Sequence, residues 1–247
     1  MRFIFLSAIA IVLTSCSSKP EQLPSAQEIV DRSIQVSGGQ LHRTKDVSFA
    51  FRNLGYASTP ENGRKVLQRI IAVDSFRIVD VMRGDALQRT INDSIVPLSD
   101  SLATRYARSV NSVHYFARLP FGLNDAAVNK KFMDTVTIAK TPYYQVEVTF
   151  DQENGGEDFE DVFYYWFHRE TYKVDYFAYS YHVDGGGIRF REAYNERYVN
   201  GIRFVDYNNY KPKEDPSTFD FTTIAQEFEK DSLELLSQIA LEKIVVE

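Results

Sequence analysis

Apolar positions along this chain recur in two periods, and the switches between them mark out its elements. Ala26, Ile29, Val30, Ser33 and Ile34 fall at helical spacing. Ser25 and Glu28 form a capping box before them, and Gly38-Gly39 ends the run. The stripe is one-sided, which predicts a helix lying on another layer. Period-two runs then predict strands over Lys45–Ala57, Lys65–Val73, Phe76–Met82 and Leu87–Ile91. Their breaks are Pro60-Glu61-Asn62-Gly63, Asp74-Ser75 and Arg83-Gly84-Asp85. Asp100 reads as the N-cap of a second helix running to about Arg118, with Leu102, Tyr106, Val110, Val113 and Ala117 as its apolar face and Pro120 as its stop.

Beyond a loop at Phe121-Gly122-Leu123-Asn124-Asp125 the chain turns mostly to strand: Phe132–Ala139, Tyr143–Phe150, Val162–Phe167, Tyr172–His182, Ile188–Arg197 and Ile202–Tyr210. Asn200-Gly201 is a strong hairpin signal between the last two. Thr222–Lys230 predicts a brief helix, while the apolar positions of Leu233–Val246 fit neither period cleanly. No strand–helix–strand alternation occurs, which argues against a parallel sheet. The expected class is α+β, mainly antiparallel: a strongly curved, incomplete β-barrel of about eleven strands, with two or three helices covering its concave side. Residues 25–247 are expected to form a single domain.

The N-terminus changes the setting. Arg2, the apolar run Phe3 to Leu13, and Leu13-Thr14-Ser15-Cys16 read as a signal peptide over residues 1–15 ending in a bacterial lipobox. Cys16 is the expected lipid anchor, and residues 16–24 a proline-punctuated tether. It is also the only cysteine, so anchoring leaves no thiol for a disulfide, a thiolate metal site or a nucleophile. By resemblance to the lipoprotein-sorting rule of Gram-negative bacteria, Ser17 rather than aspartate after the anchor implies an outer-membrane lipoprotein facing the periplasm. The partner is then a membrane, through the anchor. A net charge of −6 without a Lys/Arg block argues against nucleic acid.

Aromatic residues carry the candidate binding chemistry. The chain has 15 Tyr, 18 Phe and 1 Trp, and most of the aromatics after Pro142 sit on consecutive strands. Val162-Phe163-Tyr164-Tyr165-Trp166-Phe167 is apolar on both faces and must be covered on both. Ile188, Phe190 and Tyr194 alternate with Arg189 and Arg191. One reading makes the aromatics plain core. The other has Phe163, Trp166, Tyr176, Phe190 and Phe204 line a cavity for a lipid or other apolar ligand, with Arg189, Arg191 and Arg203 at its rim for an anionic head group.

Other chemistry finds little footing. His42, His114, His168 and His182 lack metal-ligand spacing, and no metal or cofactor is expected. The acidic loop from Asp151 to Asp158 has Val162 where a calcium loop needs glutamate. Asp184-Gly185-Gly186-Gly187 lacks the Lys and helix of a phosphate loop, and no Gly-x-Ser-x-Gly elbow occurs. Two alternatives to ligand binding stand: an envelope scaffolding protein acting through loops such as Phe121-Gly122-Leu123, and an enzyme using His182 with Glu192 as an acid/base pair.

The opening segment Ser25 to Ile34, closed by Gly38-Gly39, resembles the first helix of periplasmic proteins of the outer-membrane lipoprotein-sorting superfamily, the LolA/LolB type. The stretch Tyr165-Trp166-Phe167-His168-Arg169-Glu170-Thr171-Tyr172-Lys173-Val174 is similar to that superfamily's aromatic hairpin. The segments His114–Asn124 and Tyr164–Tyr210 further resemble a group of uncharacterised Bacteroidota lipoproteins. The superfamily resemblance implies an incomplete barrel with a helical lid and an apolar cavity that takes acyl chains. It carries no functional residue onto a numbered position of this chain.

Overall fold

A computed structural model of the chain describes residues 22–153, 159–182 and 185–247. The expected signal sequence, Cys16 and most of the expected tether lie outside the described residues, as do positions 154–158 of the acidic loop and Asp184 of the glycine turn.

Helix α1 (Ala26–Val36) starts at Ser25, and the capping box is formed as its sequence predicts: Ser25 Oγ accepts from the Glu28 amide, and the Glu28 carboxylate accepts from the Ser25 amide at 2.8 Å. Replacing Ser25 with alanine should cost about 1 kcal/mol, read as a shift in the urea midpoint at constant m-value. The helix ends where Gly38 takes φ +121°. A Cβ there would lie 3.1 Å from the Gly201 carbonyl and the Ile202 Cα. Glycine therefore lets the helix end sit directly on the hairpin formed later around Asn200-Gly201. A short helix, α2 (Leu41–Thr44), follows.

Six antiparallel strands then run as a meander: β1 (Val47–Phe51), β2 (Leu54–Glu61), β3 (Arg64–Val73), β4 (Phe76–Arg83), β5 (Ala86–Ile91) and β6 (Ser94–Val96). Helix α3 (Asp100–Ala117) leads, through a 3-10 turn at Phe121–Asn124, into a second meander. Its strands are β7 (Val128–Ile138), β8 (Thr141–Phe150), β9 (Val162–His168), β10 (Val174–Tyr181), β11 (Gly187–Val199) and β12 (Ile202–Pro212). A connecting segment with helix α4 (Ile224–Glu229) precedes β13 (Leu233–Ile239) and β14 (Glu242–Val246).

The described strands make two seven-stranded antiparallel sheets rather than one half-barrel of about eleven. One sheet has the order β14-β1-β2-β3-β4-β5-β6, the other β13-β12-β11-β10-β9-β8-β7, and neither closes on itself. The count differs for physical reasons. The expected strand Lys45–Ala57 is a hairpin, turned by Arg52 and Asn53 at φ 48° and 63° without a glycine. Asn92 and Asp93 turn β5 into the unforeseen β6 in the same way. Leu233–Val246 fits no single period because β13 and β14 belong to different sheets. The corner between them is held by the Leu241 amide, which donates to Asp206 Oδ1 at 2.9 Å.

Residues from both sheets share the main core. Phe49, Phe51 and Tyr56 of the first sheet pack with Val146, Tyr165, Phe177 and Tyr207 of the second, and with Ile29 of α1 and Phe116 of α3. Helices α1 and α3 therefore pack into this shared core. Helix α4 does not. With Phe219, Phe221 and Leu233 it covers the opposite face of the second sheet, packing on Trp166, Tyr176, Ala178, Ile188 and Phe190. The strand that reads as apolar on both faces, β9, is thus covered on both: once by the inter-sheet core, once by the α4 segment.

Candidate functional site

Beneath α3 the first sheet buries a charged set. Asp80 is fully buried and takes bonds from Arg69 Nη2 at 2.6 Å and Arg89 Nε at 2.7 Å. Burial alone would raise its carboxyl's pKa, but the bonds from Arg89 and Arg69 hold it below the usual aspartate value. Tyr106 of α3 lies over the Arg89 guanidinium at 3.6 Å. Arg69 also donates to Ser109 Oγ at 2.6 Å, which ties the set to the middle of α3.

Ser109 borders a cleft of about 340 Å³ between the two sheets. Phe51, Leu54 and Tyr56 of the first hairpin form one wall, with Arg52 at its turn. Ser112, Val113 and Phe116 extend down α3, and Ile239 closes the side at the end of β13. The second sheet contributes Arg191 and Asn209, which face each other across β11 and β12. The volume sits at the lower end of the roughly 300–1,000 Å³ typical of small-molecule sites, and a mostly apolar lining with a few polar groups is their usual character.

Arg191 is the unusual member. Its guanidinium lies 5.1 Å from the Phe116 ring centre, 5.2 Å from Phe177 and 5.3 Å from Tyr179, and one nitrogen donates to the Tyr179 hydroxyl at 3.0 Å. Its Nε is buried without an acceptor among the described residues, and so is Asn209 Oδ1 without a donor. Asn209 Nδ2 donates to Ser237 Oγ at 3.1 Å. Deeper in, Tyr115 and Tyr165 share a hydroxyl bond of 2.6 Å. Burial holds both phenols well above the usual tyrosine range and Tyr207 at about 12, so all three stay neutral and none balances Arg191.

Comparison with known proteins decides the family. Residues 72–240, from the end of β3 through β13, match the model of a family of unknown function, DUF6503. The chain belongs to DUF6503. No curated protein matches the DUF6503 sequence. Solved structures with a similar course include a LolA superfamily protein from Nitrosomonas europaea, 10% identical with a TM-score of 0.44, covering 91% of this chain and 92% of that one. A DUF1329 family protein from Desulfovibrio piger is 8% identical with a TM-score of 0.46, covering 89% and 92%. A putative outer membrane lipoprotein-sorting protein domain from Vibrio parahaemolyticus is 7% identical with a TM-score of 0.43, covering 88% and 93%.

Within the DUF6503 protein the five aromatic candidates do not share a surface. Phe163 and Phe204 belong to the inter-sheet core, whereas Trp166, Tyr176 and Phe190 lie on the opposite face under α4. Phe228 of α4 stacks on Phe190 at 4.5 Å, and Phe221 on Tyr164 at 4.7 Å. None of the five borders the cleft. Alternation along β9 separates Phe163 from Trp166, so the sequence already held the signal that they face apart.

The rim arginines divide likewise. Arg203 is buried and bound to Glu196 at 3.0 Å and Asp175 at 3.3 Å. Arg189 donates to the Tyr181 hydroxyl at 2.7 Å. Of the three, only Arg191 borders the cleft.

The proposed acid/base pair does not form. Glu192 pairs in register with Tyr176, six positions before His182 on the neighbouring strand. At about 3.3 Å per residue that is a separation of about 20 Å. His182 instead faces Asp161 at 3.6 Å, and Glu192 accepts from the Tyr210 hydroxyl at 3.1 Å. Leu123 of the expected docking loop is fully buried. Among the described residues no three His, Cys, Asp or Glu side chains are grouped to hold a metal.

Proposed function

We propose that this DUF6503 protein is an envelope lipoprotein, anchored in the outer membrane through Cys16, that holds an amphipathic small molecule in the cleft between its two sheets. The observation that carries this reading is the cleft itself. Six apolar side chains (Phe51, Leu54, Tyr56, Val113, Phe116 and Ile239) surround a space of about 340 Å³ that also meets Arg191 and Asn209. A lipid-derived ligand fits a lining that mixes these apolar side chains with Arg52, Ser109, Ser112, Arg191 and Asn209, and the expected anchor keeps such molecules at hand. No described helix is long and apolar enough to cross a membrane, so in this reading membrane contact is left to the anchor.

Native mass spectrometry of the purified protein tests the proposal. The expected spectrum contains a second species heavier by one small amphipathic molecule, which is lost on denaturation. A single ligand-free mass, together with no uptake of a fluorescent fatty acid, would overturn it.

A scaffolding role is the second reading, and one observation favours it. Strand β13 forms a free edge of its sheet, and its Leu235 and Leu236 are 53% and 46% exposed. An edge of that kind can pair with a partner strand. Affinity capture from envelope extracts separates the two readings: a carrier brings down lipid with the wild-type protein, whereas a scaffold brings down protein that Leu235→Lys loses.

A further inference from the structure

We infer that the molecule held in the cleft carries an anionic group, and that Arg191 is the residue that binds it. This rests on the cleft being a ligand site, and it adds the chemical class of the ligand's polar end.

Charge is the first argument. Arg69 and Arg89 share Asp80, Arg197 binds Asp206 at 2.9 Å, and Arg203 binds Glu196 and Asp175. Arg191 makes no such ion pair among the described residues. Withdrawing a guanidinium from water without a counter-charge is costly, and three ring faces with one phenol offset only part of it. The cleft lining holds Arg52 and Arg191 and neither aspartate nor glutamate. Behind Ser109, two arginines face one aspartate, leaving one surplus positive charge. A chain of net charge −6 thus presents positive charge at this cleft.

Hydrogen-bonding capacity is the second argument. Among the described residues Arg191 Nε lacks an acceptor, and its cross-strand neighbour Asn209 has an oxygen without a donor. Half a turn of the Asn209 amide lets Ser237 donate to that oxygen and leaves the amide N–H groups, in place of the orphaned oxygen, on the strand position paired with Arg191. Both side chains then offer donors in the same cleft, which suits a carboxylate or a phosphate. Phe51, Leu54, Val113, Phe116 and Ile239 beside them suit an anion that belongs to a molecule with an apolar body. A fatty acid and a phosphorylated lipid share that chemistry.

The test titrates the purified, delipidated protein with decanoate, decyl phosphate and decanol, each below its micellar concentration. Both anionic probes are expected to bind at least about tenfold more tightly than decanol, the usual worth of a hydrogen bond to a charged group. The tighter of the two identifies the head group. Arg191→Gln should remove the preference, so that within that variant the anionic probes bind no more tightly than decanol, and Arg191→Lys should retain part of it. Added salt should weaken decanoate binding and spare decanol, a readout that needs no variant.

Equal binding of all three probes would overturn the inference and leave the cleft reading intact. A preference that survives in a folded Arg191→Gln protein, or falls equally in Arg52→Gln, would overturn the assignment to Arg191. Binding of none of the probes would overturn the inference and the cleft reading together.

Discussion

Replacing Asp80 with alanine should lower the unfolding free energy by about 3–5 kcal/mol, the largest single-residue effect expected in the molecule. Asp80 has no exposed side-chain surface and accepts from both Arg69 and Arg89, which are themselves only 7% and 12% exposed. Removing it leaves two guanidinium groups under α3 with no counter-charge, and Tyr106 cannot replace one. The pair geometry is what matters, not ion pairing as such. Converting Arg69, Asp80 and Arg89 together to apolar residues of similar size should therefore cost much less than Asp80→Ala alone. Urea unfolding of the two variants decides: a loss below about 1 kcal/mol for Asp80→Ala would mean that water already screens the set. Because Arg69 also holds Ser109, the same variant should loosen the cleft wall and weaken any ligand bound there.

Acid should destabilise the fold through two buried histidines. Burial lowers His42 and His114 from 6.5 to about 4, although each ring donates to a carbonyl, of Ser37 and of Gln68 respectively. Above pH 6.5 both rings are neutral whether folded or not, and they add no pH dependence. As pH falls from 6.5 toward 4 the unfolded chain takes up protons that the folded chain refuses, so stability falls across that window. At about 1.4 kcal/mol per pKa unit, the loss reaches about 3 kcal/mol for each histidine by pH 4. Chemical denaturation at a series of pH values should show this slope, and His114→Gln should remove about half of it. A slope unchanged in that variant would mean that His114 is not buried neutral.

Much of the fold is legible in the residues, and the misses have common causes. Capping by Ser25 and Glu28, the end of α1 at Gly38-Gly39 and the hairpin at Asn200-Gly201 are local chemistry, and each appears where its residues predict. The hairpins at Arg52-Asn53 and Asn92-Asp93 escaped because they lack glycine, the usual marker of positive φ. Two sheets in place of one follow from α3, which stands between β6 and β7 so that these end strands do not pair, and the corner at Leu241, a tertiary bond to Asp206 that no local pattern announces, sends β13 and β14 to different sheets.

The site was less legible. Period-two reading places Arg191 on the face opposite Ile188 and Phe190, and it does lie there. Aromatic density pointed instead to Trp166, Tyr176 and Phe190, where the α4 segment supplies Phe221 and Phe228 as cover. What distinguishes a lined cleft from a filled core is which segment returns to pack on it. That segment is far along the chain, and strand periodicity does not report it.

The central claim is that the cleft between the sheets holds a ligand, and filling it is the most direct test. Val113 lies on its α3 wall, so Val113→Phe should occupy the space while leaving the Arg69–Asp80–Arg89 set untouched. Fluorescence titration with a labelled fatty acid is expected to give one site per chain in the wild type, and at least about tenfold weaker binding in Val113→Phe. Equal binding by the two proteins, with both folded, would place the ligand elsewhere and contradict the account.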